Sequence, residues 1–312
     1  MSVNNTSQLQ IRCVTQTLQG PAIMNSYAPP RPVPRSNRLS DAPQALEAAG
    51  PGPRRAAHAL DGLVSPEDLS VVFQPIVNMV DGELFAHEAL VRCSVPALQN
   101  PLVLFERALE VGCAGRLGRM IREIAVPLST GKALFLNVHP QELHEAWIVR
   151  PDDPIFSHDD VLYVEVTEAM PLKQHELCMN VLRELRSRCN VELVVDDLGA
   201  GYSNLKRILD LHPKIVKLDR ELIVNLDRNP RQQKLVAGVV RLCVDLDAQV
   251  VAEGIETDEE FVALQDIGVH YGQGYLFARP AYPMPAVTWP PDSGVRHTPG
   301  LVSASSYPPP AA

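Results

Sequence analysis

The sequence predicts an α/β fold of the (β/α)8-barrel type. Short apolar runs alternate with helical patterns across residues 63–282, and eight of those runs are strand candidates. Such alternation argues for a largely parallel sheet covered by helices. Eight candidates favour a closed barrel over an open sheet. No G-x-G-x-x-G follows the first strand, which argues against a dinucleotide fold, and no G-x-x-x-x-G-K-[ST] occurs either.

The elements follow in order. Val71–Val77 (VVFQPIV) reads as a strand, Asp81-Gly82 as a turn and Glu83–Val91 as a second strand. The chain thus opens on a hairpin that breaks strict parallel order. Leu102–Glu110 and Arg116–Pro127 carry helical patterns. Ala133–Val138 (ALFLNV) and Val161–Val166 (VLYVEV) are strands, followed by a helix over Lys173–Arg188. Val191–Asp196 (VELVVD) is a strand with a short helix near Ser203–Leu209. Ile215–Leu218 (IVKL) precedes a helix over Pro230–Asp245, which places Leu235, Val239 and Leu242 on one face. Gln249–Ala252 (QVVA), a helix over Thr257–Asp266 and a last strand near Tyr271–Phe277 complete the set.

Residues 1–62 and 283–312 fall outside this pattern. Tyr27–Arg35 reads YAPPRPVPR, and the C-terminal stretch is rich in Pro, Ser and Gly. Proline removes backbone donors and fixes φ, so both ends are expected to be disordered.

The chain has 312 residues, 46% of them hydrophobic and 21% charged, enough for a sizeable core. Its formal charge of -9 excludes DNA binding through a broad basic surface. Six scattered cysteines without a C-x-x-C pair read as small buried hydrophobes of a reduced protein. No run of about 18 apolar residues and no signal-peptide pattern occur, so the cytoplasm is the expected compartment and no membrane is expected as a partner.

The acids mark the strand ends. Glu88, Asn137, Glu165, the Asp196-Asp197 pair and Glu253 each close or nearly close a strand, with Glu168 and Glu256 three residues beyond two of them. In a barrel the C-terminal strand ends converge on one rim. So many carboxylates cannot share a pocket unpaired, because like charges raise one another's pKa. Hard oxygen ligands without clustered Cys or His point to Mg²⁺ or Mn²⁺. Adjacent aspartates suit two ions side by side, as in two-metal hydrolysis of phosphate esters. Arg92 can fork onto a phosphate oxygen. Lys217, with Asp219 after it, is a lone cation among acids. It serves either as a salt bridge or to orient water and neutralise charge developing on phosphorus. DDLGAGYS (Asp196–Ser203) carries Gly199 and Gly201 for tight backbone passage, and Gln273 stands between two glycines.

Taken together, these motifs resemble the EAL-domain cyclic di-GMP phosphodiesterases. The resemblance rests on Glu88-Ala89-Leu90 with Arg92, FQPI at Phe73–Ile76, NVHP at Asn137–Pro140, EVTE at Glu165–Glu168 and DDLGAGYS. KLD at Lys217–Asp219, AEGIE at Ala252–Glu256 and GQGYLFARP at Gly272–Pro280 complete it. It implies a modified TIM-type barrel with one antiparallel strand and two divalent ions, Mg²⁺ or Mn²⁺, per active site. Glu88, Asn137, Glu165 and Asp196 would hold the first ion, and Asp196, Asp197 and Glu253 the second. Glu88, Lys217, Glu253 and Gln273 would carry catalysis, opening cyclic di-GMP to linear pGpG. Gln74, Pro75, Leu90, Arg92 and Asp219 would contact substrate. Glu168, Gly199, Gly201 and Glu256 would support the loop that couples a homodimer interface to metal binding. Ca²⁺ is expected to inhibit. Many relatives follow the signature with Trp and a His-Pro pair, where this chain has Arg92-Cys93-Ser94-Val95-Pro96, so one pocket wall is atypical. The alternative reading is a receptor that binds cyclic di-GMP and signals to a separate sensor or effector protein. A barrel acting on another phosphodiester is a third.

Overall fold

Eight strands close into one barrel in chain order. The computed structural model describes residues 62–166, 175–199 and 205–289. The strands are β1 (Leu69–Asn78), β2 (Leu84–Cys93), β3 (Leu134–Val138), β4 (Leu162–Val166), β5 (Val191–Leu198), β6 (Ile215–Leu218), β7 (Gln249–Ala252) and β8 (Tyr271–Gly272). β1 runs antiparallel to both its neighbours, β2 and β8, and the other pairs are parallel. The expected modified barrel with one antiparallel strand is therefore the observed fold. The short hairpin around Asp81-Gly82 forces that reversal, since a parallel neighbour needs a long crossover.

Among the described residues seven α-helices lie outside the barrel: α1 (Pro101–Glu110), α2 (Ala114–Leu128), α3 (Pro140–His144), α4 (His175–Arg188), α5 (Leu205–Leu211), α6 (Pro230–Asp245) and α7 (Asp258–Ile267). α3 was not legible as a helix because it is barely more than one turn. Caps mark several starts. The side chains of Asn100, His139, Asn229 and Thr257 accept from backbone N–H groups of the first turns of α1, α3, α6 and α7.

Period-two alternation sorts the barrel interior into layers. The lower layer is apolar: Ile76, Ala86, Phe135, Tyr163, Val194, Ile215 and Val251 pack together, with Phe135 and Tyr163 stacked at 4.4 Å. A register shift in β2 opposite Ile76/Val77 leaves Phe85 as an extra residue, and its ring stacks on Tyr271 at 3.9 Å. This aromatic floor seals the barrel below the site. A second, larger core fills the space between strands and helices.

Two expectations are corrected here. β8 ends at Gly272 rather than reaching Phe277, because the chain turns against the segment after β7. A Cβ at Gly274 would lie 2.0 Å from the Ile255 carbonyl oxygen. Ala281 takes over the pairing with Phe73 that a longer β8 would have made. The packed body also continues past 282. The Thr288 N–H donates to Phe277 O at 2.8 Å, and the Trp289 ring packs against Phe261 and Phe277.

The helix α6 buries Val236, Val240 and Cys243. Of its row of Leu235, Val239 and Leu242, Val239 is half-buried against the core, and the two leucines are turned outward. Leu235 is 56% exposed and Leu242 37%. The five cysteines among the described residues are free, four of them buried. Among the described residues no helix is long and apolar enough to cross a membrane. Residues 1–61 and 290–312, for which disorder was expected, lie outside the described residues, as do Glu168 and Gly201.

Candidate active site

Each site residue stands two positions beyond an apolar residue of the barrel floor. Ala86 precedes Glu88, Phe135 precedes Asn137, Tyr163 precedes Glu165 and Val194 precedes Asp196. Ile215 precedes Lys217, Val251 precedes Glu253 and Tyr271 precedes Gln273. In the reversed strand the order inverts, and Gln74 lies two before Ile76. A strand repeats its face every second residue, so all these side chains enter the lumen one layer above the floor.

Asp197 departs from that rule. Adjacent residues of a strand face opposite sides, yet Asp196, Asp197 and Glu253 bring carboxylate oxygens within 4.8 Å of one another. The cause is backbone geometry: Asp197 adopts φ +57° and the β5–β6 pairing shifts register between Val195 and Leu198. A non-glycine residue in the left-handed region costs of order 1–3 kcal/mol and persists where the surroundings over-determine it. Gly199 follows at φ +120°, where a Cβ would strike Leu222.

Lys217 is the hub. Its Nζ lies 2.6 Å from Glu165, 2.5 Å from Glu253, 3.3 Å from Glu88 and 3.5 Å from Asp196, and its side chain is 1% exposed. Of the two roles foreseen for it, the salt bridge is the one this geometry displays. Glu88 is also held by neutral donors. Gln273 donates to its Oε2 at 2.7 Å and Asn137 donates to its Oε1 at 2.9 Å. The Asn137 amide is thereby oriented, leaving its oxygen as an acceptor for a cation.

One ammonium does not balance this ring. Unit charges about 4 Å apart interact by about 4 kcal/mol at an effective dielectric of about 20. Burial, then the negative charge of Glu88, push Glu165 well above the usual carboxylate range despite Lys217. Burial with Asp196 and Glu88 nearby pushes Glu253 up to about 8, although Lys217 opposes it. Glu88 also suffers from burial, but Lys217 and the Gln273 and Asn137 hydrogen bonds bring it below its ordinary value. Burial disfavours the charge on Lys217, and the four acids more than offset that, raising it well above its usual range. Among the described residues, neither Glu165 oxygen nor Asp196 Oδ1 has a well-directed hydrogen bond. Buried carboxylate oxygens that share a single ammonium, and the surplus of negative charge they carry, fit hard divalent cations.

The ring opens into a cavity of ≈ 800 Å³. Gln74, Leu90, Arg92, Asn137, Asp196, Asp197, Lys217, Glu253, Glu256 and Gln273 line it. Gln74 is pinned between Ala278 O and Gln273. Pro75 does not reach this cavity, nor does Asp219. The Asp219 carboxylate instead accepts from Glu221 N at 2.7 Å and caps the following turn. Glu256 pairs with Arg220 at 3.1 Å, and both face the cavity. Sequence reasoning missed Arg220, His139, Phe105 and Tyr275, which also line it. Arg220 directly follows KLD, while His139 and Tyr275 stand inside NVHP and GQGYLFARP without having been given a role. Phe105 sits in α1, where no motif flags it.

The protein-family comparison matches the EAL domain model to residues 57–280. The chain belongs to the EAL-domain family. An EAL-family relative, cyclic di-GMP phosphodiesterase PdeR of Escherichia coli, is 30% identical over 236 residues, 72% of this chain and 35% of that protein. RocR of Pseudomonas aeruginosa, also a cyclic di-GMP phosphodiesterase, is 29% identical over 78% of this chain and 64% of its own length. This chain thus spans about a third to two thirds of such EAL relatives. Among solved structures, a manganese/cyclic di-GMP complex of Klebsiella pneumoniae BlrP1 superposes with a TM-score of 0.60. Its identity is 30%, covering 70% of this chain and 57% of that one.

Proposed function

We propose that this chain is a metal-dependent phosphodiesterase that opens cyclic di-GMP to linear pGpG. The observation that carries this reading is the ring of Glu88, Glu165, Asp196 and Glu253 around Lys217, set at the base of a nucleotide-sized cavity. The names of PdeR and RocR and the ligands of BlrP1 support the substrate.

Glu88, Asn137, Glu165 and Asp196 would hold one divalent ion and Asp196, Asp197 and Glu253 a second. Mg²⁺ or Mn²⁺ there would supply Lewis-acid activation of water and neutralise phosphate oxygens. Lys217 keeps the carboxylates gathered and offers a positive charge to the phosphorane-like transition state. Gln273 fixes Glu88 and, through Gln74, the cavity edge. Arg92, whose Nη1 donates to Val91 O at 2.8 Å, presents its remaining donors to a phosphate. Ca²⁺ takes the same oxygens in looser geometry, so it is expected to support binding and inhibit turnover. A calcium/cyclic di-GMP complex of BlrP1 fits the binding half of that expectation. Formation of pGpG by the purified chain tests the reading, and tight binding without product would favour the receptor.

The protein is further proposed to act as a homodimer through α6. Exposed Leu235, Leu242 and Leu246, with half-buried Val239 between them, follow a 4-3-4 spacing along α6 and its C-cap, a seam that suits a second helix. A second copy is the fitting occupant because the flank is self-complementary. Arg231 and Asp245, both exposed, stand seven residues either side of Gly238, which is open to solvent. An antiparallel pair about a two-fold axis sets each Arg231 near the partner's aspartate and lets the backbones approach at glycine. Leu235→Glu with Leu242→Glu should convert a dimer to a monomer by light scattering. A wild type that stays monomeric at high concentration with ligand, or a double variant that stays dimeric, refutes the interface.

A further inference from the structure

Outside the acidic ring the molecule buries a second set of charges. Arg122 of α2 is 2% exposed, and each nitrogen of its guanidinium donates a hydrogen bond. Nη1 donates to Glu142 Oε2 at 2.6 Å, while Nη2 and Nε donate to the two Asp153 oxygens at 2.8 and 3.0 Å. Neither carboxylate side chain is exposed. A buried ionic cluster is weak evidence for stability, because desolvation offsets most of the attraction. Its value lies in what it holds in place.

Both acids have a second task. Asp153 Oδ1 accepts from Ile155 N at 3.1 Å and fixes the turn after α3. Glu142 Oε1 accepts from His139 N at 3.0 Å. That N–H lies just beyond the β3–β4 ladder, which ends at Val138 paired with Val166. Asn137 is two residues earlier and donates to Glu88. His139 Nδ1 accepts from Gln141 N at 3.0 Å, which puts the ring proton on Nε2. The ring is stacked on Phe105, 6.2 Å between centroids, and lines the same cavity. The helix α2 is shaped to admit this arrangement, since a Cβ at Gly118 would lie 1.9 Å from Glu142 Oε2.

We propose that Arg122 is a positioning residue: through Glu142 it fixes the end of β3, and with it the ligand Asn137 and the His139–Phe105 wall of the cavity. The inference rests on the phosphodiesterase reading for its consequence but not for its geometry. A group that orients a metal ligand from behind typically contributes 10–100-fold to metal affinity.

The test uses Arg122→Met, Arg122→Lys and Gly118→Ala in the full chain, the last unseating Glu142 without removing a charge. Mn²⁺ binding is measured by calorimetry without substrate, and the Asn137 side-chain amide is followed by NMR without metal. Arg122→Met and Gly118→Ala are expected to weaken Mn²⁺ by ~10-fold or more and to shift the Asn137 amide. Arg122→Lys should recover part of both. Folded variants with a lowered melting temperature but wild-type Mn²⁺ affinity and an unmoved Asn137 signal would overturn the proposal and leave the triad a purely structural one. Loss of pGpG formation by the wild type would refute the phosphodiesterase reading while leaving both readouts valid. If the wild type bound no Mn²⁺, the amide signal alone would decide.

Discussion

Glu88→Ala is expected to abolish turnover while leaving a folded, nucleotide-binding protein. Glu88 takes hydrogen bonds from Gln273 and Asn137 and an ion pair from Lys217 at once. Its removal takes away a proposed metal ligand and frees three neighbours. A loss of about 4 kcal/mol of transition-state stabilisation corresponds to ~10³-fold in rate. Some binding of cyclic di-GMP should survive through Arg92 and the cavity wall, read by calorimetry. Lys217→Ala is expected to lower kcat by ~10²-fold or more with a smaller change in KM, because its charge acts as phosphorus becomes more negative. Undiminished pGpG formation by Glu88→Ala, free of contaminating enzyme, contradicts the site assignment.

Removing the metal should have the second large effect, and its size should depend on pH. Burial and the neighbouring acids push Glu253 up to about 8 from an ordinary 4.5, and Glu165 is pushed the same way. A raised carboxyl contributes stability that is complete below its unfolded pKa and lost as pH climbs through the folded value. Chelated protein should therefore lose stability between about pH 5 and pH 8. Divalent cations replace those protons, so Mn²⁺ affinity should rise by about tenfold per pH unit for each proton displaced over that window. Melting temperatures with and without Mn²⁺ should diverge as pH rises. Curves that stay parallel from about pH 6 to pH 8 refute the coupling.

Much of this was legible in the sequence because strand periodicity and chemistry coincide. Asn137, Glu165, Lys217 and Glu253 each stand within one residue of a strand's C-terminal end, whereas Glu88 sits midway along β2 and is gathered with them because β2 is the longer strand. What the sequence hid depended on backbone and distance. The turn of Asp197 onto the same cluster needs a left-handed φ that no composition announces. The Arg122–Glu142–Asp153 triad joins three elements far apart in sequence, and its members look like ordinary surface charges. The helix α6 has two adjacent apolar rows, and the choice of which one faces inward is made by the packing of its neighbours.

The most direct test of the central claim is product analysis of the wild-type chain incubated with cyclic di-GMP in Mg²⁺ or Mn²⁺. Chromatography should show linear pGpG accumulating as cyclic di-GMP disappears, and EDTA should stop it. Intact cyclic di-GMP in both metals, despite tight binding on the same samples, would contradict hydrolysis and identify the barrel as a receptor.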